Sequence, residues 1–132
     1  MIVVDTSVWV DHLNDDATVQ VRQLRAIVGR QQILVGDLIL CEVLQGLRDE
    51  REARRVEAAL RRFDVGAMLN PDMAPRVAAN FRRLRRLGIT VRKTIDLIIA
   101  TFCIENGHVL LHNDRDFDSM RAHIGLQVLS QR

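Results

Sequence analysis

Three short apolar runs set the limits on how this chain can fold. Ile2-Val3-Val4, Ile33-Leu34-Val35 and Val109-Leu110-Leu111, preceded by His108, are too short for helices and too continuous for half-exposed strands. Runs of this kind read as strands buried on both faces, the habit of parallel sheets. The segments between them have helical spacing. Val19, Leu24, Ile27 and Val28 fall on one stripe that ends near Gly29, with Asp15 or Asp16 as its cap. Leu40, Cys41, Val43, Leu44 and Leu47 follow Asp37, a second cap candidate. Met73, Val77, Phe81 and Leu84 run from Asn70-Pro71 to Gly88. Strands alternating with helices predict a parallel sheet covered on both sides, an α/β/α sandwich.

The remaining segments complete that pattern. Residues 49–62 are rich in Arg, Glu and Ala and read as an exposed helix. Phe63-Asp64-Val65 and Leu126-Gln127-Val128-Leu129 are further strand candidates, and Val8-Trp9-Val10 a short helical turn. From Asp96 to Ile104 only Asp96 and Thr101 interrupt an apolar run. That predicts a central buried helix, capped by Thr94 and closed at Asn106-Gly107. A length of 132 residues suits one domain spanning 1–132. No apolar run approaches the roughly 20 residues of a membrane span, and the opening segment is unlike a signal peptide. A cytoplasmic protein is expected, with Cys41 and Cys103 reduced and buried as small hydrophobes.

Charge is distributed unevenly. Lys93 is the only lysine, beside eighteen arginines, and residues 73–95 hold no acid while carrying Arg76, Arg82, Arg83, Arg85, Arg86, Arg92 and Lys93. Separate acidic and basic surfaces suit a molecule that holds cations on one and phosphates on the other. A solvated arginine-rich helix face explains the basic stretch equally well.

Acids at four places in the chain stand out because their surroundings are apolar. Asp5 ends a buried run, Glu42 sits within an apolar helix, Asp96 opens the most apolar helix, and Asp114 and Asp116 follow another buried run. In open α/β sheets the site lies at the carboxyl ends of the strands, where Asp5 and Asp114 would emerge together. Crowded carboxylates repel one another and lose solvation, a penalty that a hard divalent cation removes. Taken singly, each has a local reading as well: Asp5 as a helix cap, Asp96 as a first-turn acid, Glu42 facing outward, Asp116 in a loop. Thr6 and Ser7 can bind a phosphate or water, and His112 adjoins the acids. No histidine partners a serine as in a hydrolase triad, and no phosphate-binding glycine loop occurs.

Val3-Val4-Asp5-Thr6-Ser7-Val8-Trp9 resembles the opening of PIN-domain proteins. Leu40-Cys41-Glu42-Val43-Leu44-Gln45-Gly46, Thr94-Ile95-Asp96-Leu97-Ile98-Ile99-Ala100 and Leu110-Leu111-His112-Asn113-Asp114-Arg115-Asp116-Phe117 resemble that family's other acidic motifs, in order. The resemblance is to VapC-type toxins of toxin–antitoxin pairs. It implies a three-layer α/β/α fold and a ribonuclease dependent on Mg2+, or alternatively Mn2+. Asp5, Glu42, Asp96 and Asp114 would form its metal site, with Asp116 beside them or on a second metal. It also implies a VapB-type antitoxin partner, an RNA substrate (transfer RNA or ribosomal RNA) and a homodimer. Thr6, Ser7, His112, Arg82, Arg85, Arg86, Arg92 and Lys93 would contact that RNA. Two rival readings are a receiver-type signalling domain, with Asp37 as phosphoacceptor, and a non-catalytic RNA-binding module. A dehalogenase-like phosphatase would require an aspartate where Ser7 stands.

Overall fold

The computed structural model describes residues 1–129. β1 (Ile2–Val4) is followed by α1 (Thr6–Leu13) and α2 (Val19–Ile27), then β2 (Ile33–Gly36), α3 (Asp37–Gln45) and α4 (Glu50–Leu60). β3 (Asp64–Gly66), α5 (Met73–Arg86), α6 (Thr94–Asn106) and β4 (Val109–Leu111) come next. A 3-10 turn over Arg115–Phe117 leads into α7 (Asp118–His123). The sheet is wholly parallel in the order β3-β2-β1-β4. Ile2 stands opposite Ile33 on one side and Val109 on the other, so β1 is central.

Consecutive residues of β1 and β2 are buried, although neighbours on a strand point to opposite faces. Both faces are therefore covered, which gives the three layers expected from the apolar runs. α1 packs on α2 and α3, α3 on α4, and α5 on α6. In α6, Leu97, Ile99, Ala100, Thr101, Phe102 and Cys103 are all buried, and Thr101 is satisfied by the Asn80 side-chain amide at 3.1 Å. Gly107 ends α6 in the left-handed conformation (φ 68°) that a residue without Cβ adopts freely.

Several local expectations are corrected. Val8-Trp9-Val10 belongs to a full eight-residue helix, not an isolated turn. α2 is capped by Thr18, whose hydroxyl accepts from the Val21 amide at 3.0 Å, and not by Asp15 or Asp16. The cap positions of α3 and α6 fall to Gly36 and Lys93, one residue before Asp37 and Thr94. Cys41 is exposed on α3, whereas Cys103 is buried and its thiol is pushed up to about 12 by burial. The run 126–129 forms a single parallel bridge, Val128 to Leu110, because only the bonds around Leu110 are in register.

Candidate metal centre

The carboxyl ends of β1 and β4 are tied together first. The Asp5 amide donates to the Leu111 carbonyl at 2.9 Å. The Ser7 hydroxyl donates to Asp5 Oδ2 at 2.6 Å and accepts from the Asn113 amide at 3.0 Å, joining the two loops beyond the strands. Asp5 Oδ2 also accepts from the Ser7 amide at 3.1 Å, so Asp5 is the N-cap of α1. This cap role leaves the Asp5 carboxylate at the carboxyl end of the sheet. Glu42 does not face away. It is half-buried on α3, and its Oε1 accepts from the Thr6 hydroxyl at 2.7 Å.

Asp5, Thr6, Ser7, Glu42, Lys93, Asp96 and Asp114 line one pocket of about 360 Å³. Asp96, Asp114 and Asp116 each offer an oxygen, and these oxygens lie within 4.8 Å of one another. Asp114 therefore belongs to both groupings, while Asp116 adjoins it through its own amide, which donates to Asp114 Oδ1 at 2.9 Å. Asp96 Oδ2 is buried without a hydrogen-bond partner. Burial, joined by the charges of Asp5, Asp114 and Glu42 and opposed by Lys93, raises the Asp96 carboxyl to about 6. Asp5 is raised as well, chiefly by burial and against its bonds from Ser7. The donors are all oxygen, they converge, and one is an orphan, so the residues present fit a hard divalent cation.

A larger polar basin of about 890 Å³ adjoins this pocket and shares Lys93, Asn113 and Asp114 with it. Arg92, Arg115, Arg121 and His112 line it. His112 is buried against Phe117, with ring centroids 4.9 Å apart. Its Nδ1 accepts from the Asp114 amide at 3.2 Å, and burial holds the ring below its usual pKa despite the nearby acids. A neutral imidazole bonded this way carries its proton on Nε2.

Residues 2–122 match the PIN domain family. The chain belongs to that family. Over its full length it is 31% identical to ribonuclease VapC11 of Mycobacterium tuberculosis, also covered in full. The VapC ribonuclease Mb1587 of Mycobacterium bovis matches at the same identity, with both chains covered in full. Among solved structures, VapBC2 from Rickettsia felis bound to a promoter DNA fragment superposes with a TM-score of 0.78 at 16% identity, covering 98% of each chain. The PIN-domain sandwich expected from the sequence is the fold observed.

Within this PIN domain the basic residues divide. Arg92 and Lys93 reach the basin, but Arg82 and Arg85 line a separate apolar groove with Val77, Phe81 and Ile98, and Arg86 is exposed at the end of α5. Arg115, Arg121, Gln20 and Asn113 line the basin without having been singled out by sequence. Arg115 lies between Asp114 and Asp116, a place in the last acidic motif that points to it. Asp37, the rival phosphoacceptor, has its Oδ1 occupied by the Leu38 and Met68 amides at 2.8 and 3.0 Å.

Proposed function

We propose that this protein is the toxin of a VapBC-type pair, a ribonuclease that hydrolyses RNA phosphodiester bonds at the acidic pocket. The PIN-domain match and the full-length VapC ribonuclease relatives support the activity. The observation that carries the site is the buried Asp96 oxygen, which accepts no hydrogen bond, among converging carboxylates. Asp96 and Asp5 would be the main holders of Mg2+, or Mn2+ in its place, with Glu42 and Asp114 completing the set and Asp116 adjoining. A bound divalent ion supplies an acidified water and charge stabilisation at the phosphate. Thr6 holds Glu42, and Ser7 holds Asp5 and the Asn113 amide, so these hydroxyls position the carboxylates. Thr6 and Ser7 are also placed to orient a phosphate or water.

RNA would lie across the basin with its phosphates on Arg92, Lys93 and Arg115. His112 would offer Nε2–H as a donor. Arg82, Arg85 and Arg86 on α5 would extend the positive surface away from the cut. Phosphate contacts of this kind position a substrate without reading its bases. We place transfer RNA ahead of ribosomal RNA as substrate, on the resemblance. A VapB-type antitoxin is the expected partner. An apolar groove of about 640 Å³, with Trp9, Leu13, Val28 and Phe63 in its wall, has the character of a site for a partner helix. The groove at Phe81 and Ile98 suits self-association into a homodimer. No helix among the described residues is long and apolar enough to cross a membrane. We take the chain as one domain acting in the cytoplasm.

Purified protein should cleave RNA with Mg2+ or Mn2+ and stop on chelation. Asp96→Asn and Asp5→Asn should each reduce cleavage by about a hundredfold or more. Undiminished cleavage in both variants would refute the site.

A further inference from the structure

Two cations meet the acidic cluster: Arg92, with Nη1 3.8 Å from Asp116 Oδ1, and Lys93, the only lysine in a chain that carries eighteen arginines. Lys93 Nζ lies 3.7 Å from Asp96 Oδ2 and 3.6 Å from Asp114 Oδ2. Both separations exceed an ordinary hydrogen bond, so charge is the main hold on the ammonium. The side chain is 55% exposed. It lines the acidic pocket, the polar basin and a small cavity that adjoins both. An arginine at this place would grip a carboxylate with two parallel bonds, whereas an ammonium is a compact point charge on a flexible stem.

A divalent ion held by Asp96 and Asp114 would stand a few ångströms from this ammonium, and like charges that close repel strongly. Neutralisation of the two carboxylates by Lys93 and by a metal are therefore alternatives. We propose that Lys93 is a displaceable counter-ion of the metal centre, which bridges Asp96 and Asp114 between metal-binding events and turns to the basin to meet an RNA phosphate when an ion binds. The inference rests on the metal reading given above. It makes ion and RNA mutually reinforcing ligands, since each favours the outward position of the same side chain.

The test compares wild type, Lys93→Met and Lys93→Arg. Mn2+ binding is measured by calorimetry at about pH 8, and all three are checked for folding by circular dichroism. Lys93→Met should bind Mn2+ about fivefold more tightly than wild type, and Lys93→Arg more weakly. Affinity for a cleavage-resistant 2′-O-methyl RNA oligonucleotide is then measured with and without Ca2+. Wild type should gain affinity with the ion, and Lys93→Met should lose at least half of that gain. Unchanged or weaker Mn2+ binding in Lys93→Met, or an undiminished Ca2+-dependent gain, overturns the role of Lys93 alone. Failure of wild type and Lys93→Met alike to bind Mn2+ overturns the metal centre and the inference with it.

Discussion

Asp96 carries, with Asp5, the electrostatic cost of the site. It is 4% exposed, and burial with three neighbouring acids lifts its carboxyl from an ordinary 3.8 to about 6. The folded protein then binds this proton more tightly than the unfolded chain does. Between about pH 4 and about pH 6 the folded state holds more protons, so stability falls as pH rises through that window. Above it, the full cost of the buried charge is present. Chelator-treated Asp96→Asn should consequently be more stable than wild type by about 2 kcal/mol at neutral pH, with the gap closing towards pH 4. Thermal melts in EDTA across this range measure it. A variant less stable than wild type at neutral pH would contradict the electrostatic account. Added Mn2+ should raise the melting temperature of wild type and leave that of Asp96→Asn nearly unmoved.

Close packing between elements is sharpest where β2 meets the segment after β3. A Cβ on Gly36 would fall 2.1 Å from the Met68 sulfur and 2.7 Å from its Cγ, and Met68 is fully buried. Gly36→Ala should cost about 2 kcal/mol. Chemical denaturation of Gly36→Ala, Met68→Ala and the pair should show the double variant less damaged than the sum of the singles, because truncating Met68 opens the space. Additivity would mean that the two residues do not collide. The same junction explains a limit of the sequence reading. Asp37 was legible as a helix-start acid, but its carboxylate also binds the Met68 amide, 31 residues away. Local pattern carries no trace of such a partner. Apolar runs such as Ile2-Val3-Val4 needed no distant information, since burial on both faces is written into consecutive residues. The run 126–129, broken by Gln127, meets the sheet through one bridge at Val128, and its bonds to the sheet go to Leu110.

For the molecule as a whole, the acids were legible because each broke an apolar context, and chain topology then gathered them. The cations were less so. Residues 73–95 read as one basic surface, but the chain turns at Gly88, sending Arg92 and Lys93 to the basin while Arg82, Arg85 and Arg86 stay on α5. RNA binding should reflect that division. Arg92→Gln and Arg115→Gln should each lower the slope of log affinity against log salt by about 0.7, with a loss of cleavage. Arg86→Gln should change the slope and spare cleavage at saturating RNA. Filter binding and single-turnover assays separate the two, and an unaltered slope in Arg92→Gln would remove it from the interface. The placement of β1 between β2 and β4 has one more consequence. The first strand synthesised waits for the last of the four before its outer edge is paired, and the acids that meet there come from positions 5 to 116. On a nascent chain the site stays incomplete until Asp116 has been made and β4 has paired with β1. A partner that recognises the assembled pocket therefore meets it only after the fourth strand has joined the sheet.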